Sequence, residues 1–449
     1  MKKRSILTCL LAVFMALSVA TASAADFYVC AETGGSGRTA DGSKEKPWKD
    51  LQSALDKTEA GDTIHIAEGN YLGTSDRAFF EMPNPVNLKG GYAKGFASRD
   101  VLKNITKIQP PAANNKAGAS SPLLSLGKSA AKFTISGEMV IDGIIFDRGF
   151  SNAYSPTKGK PAGVETGMFI RPPGGGENGT TKNVISIQKA LLSLSASCHG
   201  NLTIQNCVFA NGGYYGIIGT WHSGKVTIKN NVFVANCFAA VEIPGNASGA
   251  FAYKTDIDFC NNTVLFSWSR LNDLLDMGYG YRFMTGANSL VRNNIIGTSV
   301  LAGLDRTRIP RTKEEAAKWK TGAEKNAFFL NRKGDLYIAS GGVSMLTVWA
   351  KNFEDREEIA PYEGNIELSG DKMKGKINEA YLEGFLSMVY SEKVDYDPNS
   401  PANQFRSSFG MNQQATMTNK VDMFANRYPL EDALKLFGAV EGYGAQLPQ

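Results

Sequence analysis

Short apolar stretches separated by asparagine turns recur through the middle of the chain. In each copy apolar residues alternate with polar ones, an Asn follows, and a second apolar stretch begins. The four copies read Leu202-Thr-Ile-Gln-Asn206-Cys-Val-Phe209, Val226-Thr-Ile-Lys-Asn230-Asn-Val-Phe233, Ile257-Asp-Phe-Cys-Asn261-Asn-Thr-Val264 and Ser289-Leu-Val-Arg-Asn293-Asn-Ile-Ile296. One such stretch is too short to bury its own apolar side chains, whereas stacked copies bury one another. The pattern therefore predicts a repeating stack of β-strands.

The marker asparagines Asn206, Asn230, Asn261 and Asn293 are separated by 24, 31 and 32 residues. Asn tolerates the left-handed backbone conformation that sharp turns require. Its amide side chain can also hydrogen-bond to an equivalent amide one repeat away. We therefore predict that the four side chains form one continuous ladder at a single corner of the stack.

Two further elements are predicted near the N-terminus. Residues 47–55 carry apolar side chains at helical spacing and contain Pro47 near the first turn, which predicts a short capping helix. Residues 63–67 alternate between apolar and polar positions, which predicts a strand with Ile64 and Ile66 on its inner side.

Three stretches accompany the asparagine repeats and together carry a resemblance to a known family. They are the start Phe27-Tyr28-Val29, the segment Gly61-Asp62-Thr-Ile-His-Ile-Ala-Glu-Gly69-Asn-Tyr71, and the turn that begins Gly90-Gly91-Tyr92. Over residues 26–310 the sequence resembles the pectate-lyase-like, right-handed parallel β-helix proteins that bacteria secrete. The resemblance implies an all-β fold, a right-handed parallel β-helix solenoid that begins with a short capping helix.

The same resemblance leaves the activity open, because one fold carries many functions. Proteins that this chain resembles include pectate and chondroitin lyases, polysaccharide hydrolases, uronate epimerases and surface proteins without known activity. A polysaccharide is the partner that the resemblance implies.

The pattern changes after residue 310, where a charged stretch begins. Further strands are expected around residues 326–338, and helical patterns follow at residues 378–390 and 430–437. An open end of a stacked sheet exposes apolar side chains and strand edges. We therefore expect residues 311–449 to form a mixed tail of strands and helices that packs on the β-helix or caps it.

The first 25 residues have the pattern of a bacterial export signal. Lys2, Lys3 and Arg4 precede an apolar run at residues 6–20, and Ala22-Ser-Ala24 follows as a cleavage pattern. The run is shorter than a typical membrane span. We expect a protein that is secreted, periplasmic or held at the cell surface, with no transmembrane segment after cleavage.

Composition narrows the function classes. With 43% hydrophobic and 20% charged residues among 449, the chain has the composition of a folded globular protein. Three His argue against a multi-histidine metal enzyme, and removal of the signal lowers the net charge from +5 to +2, which does not indicate nucleic-acid binding. The five remaining cysteines are interpreted as small buried residues, with disulfides as the alternative, and we expect a monomer.

Three charged residues are candidates for chemistry. Registering the strand after each marker places Glu242, Arg282 and Asp305 on three successive rungs, pointing outward. Similar lyases use Arg or Lys as the base, often with calcium held by carboxylates. The resemblance therefore implies that Arg282 is the base or a carboxylate clamp and that Glu242 and Asp305 bind calcium. The alternative is a salt-bridge ladder without function.

Other candidate residues surround this face. His222 is the best candidate for a general acid or base, because imidazole titrates near neutral pH. The expected substrate-binding residues are Tyr215, Trp221, Trp268, Arg270 and Arg306. The leading hypothesis is a polysaccharide lyase that cleaves an acidic, uronate-containing glycan by β-elimination. A non-catalytic glycan-binding or adhesion protein is the alternative, and a glycosidase with two carboxylates is a third possibility.

Overall fold

The computed structural model describes most of the chain after the expected signal segment. The described residues are 24–73, 80–110, 122–127, 131–149, 190–268, 278–340, 344–389, 398–399, 401–413 and 427–449. Residues 1–23 of the expected signal, and Arg270 with the loop around it, lie outside these ranges.

The described part of the chain is dominated by short strands. In chain order they are β1 (Asp26–Val29), β2 (Thr63–Ala67), β3 (Gly69–Leu72), β4 (Phe80–Met82), β5 (Asn87–Tyr92), β6 (Thr106–Gln109), β7 (Leu124–Leu126), β8 (Lys132–Asp142), β9 (Ile145–Asp147), β10 (Leu192–Gln205), β11 (Val208–Ala210), β12 (Ile217–Lys229), β13 (Val232–Val234), β14 (Ala239–Glu242), β15 (Thr255–Cys260), β16 (Thr263–Leu265), β17 (Tyr279–Arg282), β18 (Ala287–Arg292), β19 (Ile295–Gly297), β20 (Ala302–Arg306), β21 (Thr321–Glu324), β22 (Ala327–Phe329), β23 (Gly334–Ser340), β24 (Ser344–Val348) and β25 (Ile366–Glu367).

Helices in the described ranges are few and short. The α-helices there are α1 (Leu51–Lys57), α2 (Lys313–Lys318), α3 (Glu379–Val389), α4 (Pro401–Phe409) and α5 (Leu430–Leu434). The 3-10 helices of the same ranges are Gly37–Thr39, Ala350–Asp355, Glu357–Ile359 and Gly370–Met373. The predicted N-terminal capping helix corresponds to α1, whose first turn is capped by the Asp50 side chain accepting from the Ser53 N–H at 2.7 Å.

All the strands of the described residues except β24 form three stacks of parallel neighbours, and β24 pairs with β23 in antiparallel. Stack one contains β4, β7, β14, β17, β20 and β23, and stack two contains β1, β2, β5, β8, β15, β18 and β21. The long strands β10 and β12 bend from stack one into stack two. Stack three contains β3, β6, β9, β11, β13, β16, β19, β22 and β25. The predicted parallel β-helix is confirmed by this pairing of each strand with its equivalent one rung away.

The interior is a continuous apolar core along the axis. Alternation places Ile64 and Ile66 inside, as the pattern of β2 predicts. Phe146, Phe209 and Phe233 occupy one position on successive rungs, and their rings stack at centroid distances of 4.9 and 4.7 Å. Repetition of one residue type at one position thus builds the core rung by rung.

The rungs continue past residue 310, where the sequence pattern predicts that they end. β21 pairs with β18, β22 with β19 and β23 with β20, all in parallel. The charged stretch after residue 310 is an excursion between β20 and β21 that contains α2. The rung was missed because Lys325, with a φ of 52°, stands where the earlier copies have their marker Asn.

The C-terminal segment packs along the outer side of stack three. Tyr428 exchanges hydrogen bonds with the Asn211 side chain at 2.7 and 3.2 Å, and the Ala445 N–H donates to Thr263 Oγ1 at 3.0 Å. Apolar side chains of α3, α4 and α5 share one buried cluster with outward residues of β11, β13, β16 and β22. The middle strands of stack three, β9, β11, β13, β16, β19 and β22, are therefore buried on both sides, whereas β3 and β25 keep exposed residues. No helix in the described ranges is long and apolar enough to span a membrane.

Candidate functional site

The three charged residues predicted as a site do lie on successive rungs of stack one. Glu242 pairs in register with Arg282, and Arg282 with Asp305. Arg282 Nε donates to Asp305 Oδ2 at 2.6 Å, and Arg282 Nη1 donates to Glu242 Oε2 at 2.8 Å. The exposed fractions of the Arg282 and Asp305 side chains are only 1% and 0%. The three side chains point outward on successive rungs, as predicted, because the residues before them, Val241, Tyr281 and Leu304, face the inner core. They form a buried ion network, however, and a buried network does not fit a site that a polymer must reach.

Aromatic rings explain why this column is covered. The Arg282 guanidinium lies over the rings of Phe238 and Tyr279, at 5.4 and 5.2 Å from their centroids. The Tyr215 hydroxyl donates to Glu242 Oε2 at 2.8 Å. A base must reach the proton that it removes. Arg282, buried and held by two carboxylates, does not fit the role of base or substrate clamp.

The same contacts bear on the calcium prediction. Calcium prefers six to eight oxygen ligands. Glu242 and Asp305 instead share one guanidinium, which occupies one oxygen of each carboxylate. No group of three or more His, Cys, Asp or Glu able to hold a metal occurs among the residues that the structure describes. These residues do not fit a calcium site.

Three aromatic residues expected to bind substrate are parts of the packing. Trp221 is fully buried and its indole N–H donates to the Gly200 carbonyl at 3.0 Å. Trp268 is likewise buried and donates to the Ala235 carbonyl at 3.0 Å. Tyr215 is 2% exposed. Their rings fill apolar space while their polar groups close turns, so the expectation that they contact substrate is wrong.

The four marker asparagines share one corner, between stacks two and three. Their φ angles lie between 53° and 57°, and the flanking strands are in register. Only one amide pair joins consecutive markers, Asn230 Nδ2 to Asn206 Oδ1 at 2.8 Å. The long amide ladder runs one position later, through Asn231, Asn262, Asn294, Asn326 and Asn365. The predicted ladder is thus displaced by one residue, because the following side chain points into the corner.

An open groove lies on the outer side of stack two. Its volume is about 600 Å³, and it is bounded by α2 on one side and by the 3-10 helix Glu357–Ile359 on the other. Four polar side chains line its floor at equivalent positions of successive rungs, namely Lys225, Asp256, Asn288 and Lys320. Lys225, Asp256 and Lys320 are exposed, and Asn288 is half-buried.

Hydrogen bonds order the floor of this groove. Asn288 Nδ2 donates to Asp256 Oδ1 at 3.0 Å, and the Lys320 N–H donates to Asn288 Oδ1 at 3.0 Å. Asp258 accepts from Arg292 Nε and Nη2 at 3.1 and 2.9 Å, with Lys225 Nζ 3.7 Å away. The floor therefore offers positively charged donors and negatively charged acceptors, and hydrogen bonds hold several of them in place.

Arg306, one of the predicted substrate-binding residues, lies on the wall of the groove. Its guanidinium carbon is 3.6 Å from the centroid of the Trp319 ring, and its Nε donates to Thr321 Oγ1 at 3.1 Å. Burial lowers the pKa of Arg306 to about 10, although the nearby carboxylates of Glu358 and Asp305 act in the opposite direction. The side chain nevertheless remains a cation at neutral pH.

His222 lies elsewhere on the outer surface, stacked on His199 with a centroid distance of 5.2 Å. Neither ring lines the groove. The groove residues themselves were missed by sequence reasoning, although a signal was present. The position five residues before each turn residue at the marker corner is polar in every copy, at Asn201, Lys225, Asp256, Asn288 and Lys320.

Comparison with solved structures adds two distant likenesses. The first is the crystal structure of pectate lyase Pel9A, with 9% identity, a TM-score of 0.42 and coverage of 88% of this chain and 90% of that one. The second is the complex of XylC with xylose, with 10% identity, a TM-score of 0.21 and coverage of 70% and 86%. Both TM-scores are low, and the fold assignment rests on the strand pairing described above.

Sequence comparison supplies the family. A search of curated proteins finds no match. A family model described as protein of unknown function (DUF1565) matches residues 33–341, which include the capping helix, the asparagine rungs and the floor of the groove. The match covers well over half of the sequence, and the chain therefore belongs to the DUF1565 family.

Proposed function

We propose that this chain is an exported carbohydrate-binding protein and that the groove on stack two holds a polysaccharide chain along the axis of the β-helix. One observation carries the proposal, which is the polar floor at one position of successive rungs. Neighbouring rungs are about 4.8 Å apart. A polymer of repeating units laid along the axis therefore meets a comparable polar group at each rung. The segment at residues 1–25, with its export pattern, supports a location outside the cytoplasm.

The chemistry of the groove suits a hydroxyl-rich ligand. Sugar hydroxyls donate and accept hydrogen bonds, and the floor supplies ammonium donors at Lys225 and Lys320 and an acceptor at Asp256. Carboxylates of a uronate chain would pair with the two lysines and with Arg306. These contacts are charge-assisted and each is stronger than a neutral hydrogen bond.

A binding test separates the groove from the rest of the surface. We expect the double variant Lys225→Ala/Lys320→Ala to bind a uronate polymer at least about tenfold more weakly than the unchanged protein, since two charge-assisted contacts are lost. Polygalacturonate and alginate are the probes, and isothermal titration calorimetry gives the Kd. Lys229→Ala is the matched control, because Lys229 is exposed on the same strand and does not line the groove. Equal binding by the double variant, or no binding of any polymer by the unchanged protein, contradicts the proposal.

Lyase activity is the second candidate, favoured by the position of Arg306 on the wall of the groove whose floor holds Lys225 and Lys320. In β-elimination the base takes the C5 proton of a uronate, and the electron pair of the C5–H bond forms the C4–C5 double bond. The C4–O bond breaks, its electron pair stays on the glycosyl oxygen, and that oxygen takes up a proton from water. A cation must stabilise the charge that develops on the neighbouring carboxylate. Arg306 would be the base, and Lys225 or Lys320 would supply the cation.

The test of catalysis is separate from the test of binding. If Arg306 is the base, uronate polymers yield unsaturated products, detected by their ultraviolet absorbance, and Arg306→Ala lowers the rate by at least about 100-fold. Arg306→Lys, which keeps a titratable cation, should retain more activity than Arg306→Ala at high pH. Polymer binding without any rise in absorbance identifies the non-catalytic alternative.

A further inference from the structure

Two of the three histidines in the chain meet on the outer surface of the β-helix. His199 lies in β10 and His222 in β12, and the register pairs His199 with Ser223 on the next rung. Their rings stack with a centroid distance of 5.2 Å and an interplanar angle of 24°. Phe251, in the loop between β14 and β15, meets His199 edge-on at 4.9 Å and remains 47% exposed.

One nitrogen of each ring is held by a neutral neighbour. His199 Nδ1 lies 2.9 Å from Ser223 Oγ, and His222 Nδ1 lies 2.8 Å from the Asn246 side-chain nitrogen. Within the described ranges, no hydrogen bond reaches the Nε2 atom of either ring. Both half-buried rings are thus oriented while keeping one nitrogen for a ligand.

The charges nearest to the pair are mostly positive, and the nearest carboxylate on the neighbouring strand β15 is Asp256, level with Lys225. β10, β12 and the loop at residues 244–254 contain no acidic residue, whereas Lys225 lies on β12 and Lys254 ends the loop. Burial lowers the pKa of His199, and the nearby His222 and Lys132 act in the same direction. Lys132 lies on β8, which pairs with β10. The acids of β8 come later along the strand, where Glu138 accepts from Thr203 at 2.6 Å. A bound anion would relieve this excess of positive charge.

We propose that His199, His222 and Lys132 form a subsite for an oxyanion, a carboxylate or a sulfate, carried by a sugar that packs on the exposed ring of Phe251. This subsite extends the proposed glycan-binding function. His222 precedes Lys225 by three residues on β12, about 10 Å at the rise of a strand. This displacement runs along the strand and therefore across the axis of the β-helix. An acidic polysaccharide in the groove places one charged unit at the histidine pair where its end turns away from the floor at Lys225.

The subsite makes binding depend on pH. An anion binds the protonated rings more tightly than the neutral ones, so anion binding and proton uptake by the pair favour each other. Affinity therefore rises as the pH falls through the range in which imidazole takes up a proton.

Nuclear magnetic resonance of the histidine side chains in the full chain tests this directly. Three Cε1–Hε1 signals are expected, and the variants His199→Gln and His222→Gln assign two of them. His65, whose ring lies 2.8 Å from both the Tyr92 hydroxyl and Asp26 Oδ1, is the internal control. Free galacturonate should shift the signals of His199 and His222 and raise their apparent pKa values, while His65 stays fixed and neutral galactose has no effect.

Each further outcome decides a question. An equal response to inorganic sulfate supports the site and assigns it to oxyanions in general, whereas a response to galacturonate alone assigns it to a sugar acid. No shift with either anion, or equal shifts with galactose, overturns the subsite. Broadening of both signals by equimolar Zn²⁺ without any response to anions also overturns it, in favour of a metal site.

Polymer binding distinguishes failure of the subsite from failure of the groove. The double variant His199→Gln/His222→Gln should bind a uronate polymer like the unchanged protein at about pH 7.5 but lose the gain, at least about fivefold, that the unchanged protein shows at about pH 5.5. If the variant keeps that gain, the subsite is wrong while the groove stands. If the unchanged protein binds no polymer at either pH, the groove proposal fails, and the galacturonate titration still decides the subsite.

Discussion

Two columns of opposite charges run along the β-helix, and they differ in burial rather than in sequence pattern. In stack one Arg282 lies between Glu242 and Asp305, with 1% of its side chain exposed. In stack two Arg292 binds Asp258 on the neighbouring rung, with 34% of its side chain exposed. Both columns arise from polar residues that alternate with buried ones. Alternation therefore shows which side of the strand a residue faces, and says nothing about what covers that side.

The residues that cover the Glu242, Arg282 and Asp305 column cannot be recognised from the local sequence pattern around those three residues. Rings of Phe238 and Tyr279 lie against Arg282, and Tyr215 binds Glu242. The outer side of stack two at the level of Asp256 lies instead between two separated walls and stays open. Ligand chemistry needs access. The column on stack two is therefore the better candidate for ligand binding. The buried column on stack one is the better candidate for a role in stability.

Of the changes considered for the two columns, removal of the Arg282 side chain should lower the free energy of unfolding the most. Arg282→Ala leaves Glu242 and Asp305 buried without their counter-charge, and we expect a loss of roughly 3–5 kcal/mol in the free energy of unfolding. Denaturant unfolding followed by circular dichroism measures the change. A loss below about 1 kcal/mol, the range of exposed pairs, would show that the carboxylates find other partners and that burial does not separate the two columns.

The second-largest loss of stability is expected from a break in the buried amide ladder. Asn262 accepts from both the backbone N–H and Nδ2 of Asn231, and donates to the Ile228 carbonyl at 2.8 Å and to Asn294 Oδ1 at 3.2 Å. Asn262→Ala leaves several of these buried groups unpaired, and we expect a loss of about 2–3 kcal/mol in unfolding free energy.

The neighbouring residue gives a matched control for this ladder. Asn261 has a φ of 53° and is half-buried at the same corner. Asn261→Gly removes its side chain while Gly accepts the left-handed backbone, and the loss should stay below about 1 kcal/mol. Equal losses in Asn262→Ala and Asn261→Gly would mean that the corner depends on its backbone rather than on the amide chain.

The repeats predicted the fold because every rung has the same structural requirements, and these requirements appear in the sequence once per rung. Each copy needs inward apolar residues, a residue that tolerates a left-handed turn, and a second apolar stretch, and these demands are local. Lys325 shows the limit of that reasoning. It adopts the same left-handed turn without being Asn, so one rung was assigned to the tail.

The candidate site was harder to predict because accessibility is a property of the whole molecule. Trp221 and Trp268 are of a residue type that often stacks on sugars. Their rings are nevertheless buried in the protein interior, and their indole N–H groups donate to backbone carbonyls. The groove depends on α2 and on residues 357–359, which lie far along the sequence from Lys225. Polar residues at one fixed distance before each turn residue were visible, but the walls that turn them into a groove were not.

The smallest loss of unfolding free energy is expected in the solvent-exposed column of stack two, at Arg292. Arg292→Ala removes both hydrogen bonds to Asp258, which lie in contact with solvent and with Lys225 Nζ at 3.7 Å. Water and Lys225 can replace the lost partner, so the unfolding free energy should fall by less than about 1 kcal/mol. The difference between Arg292→Ala and unchanged protein should also shrink at high salt, because exposed charges are screened while the Arg282 network is not. Denaturant unfolding at low and high salt measures both effects. A loss of several kcal/mol that persists at high salt would place the Asp258 pair with the buried column and remove the case for an open, ligand-accessible face.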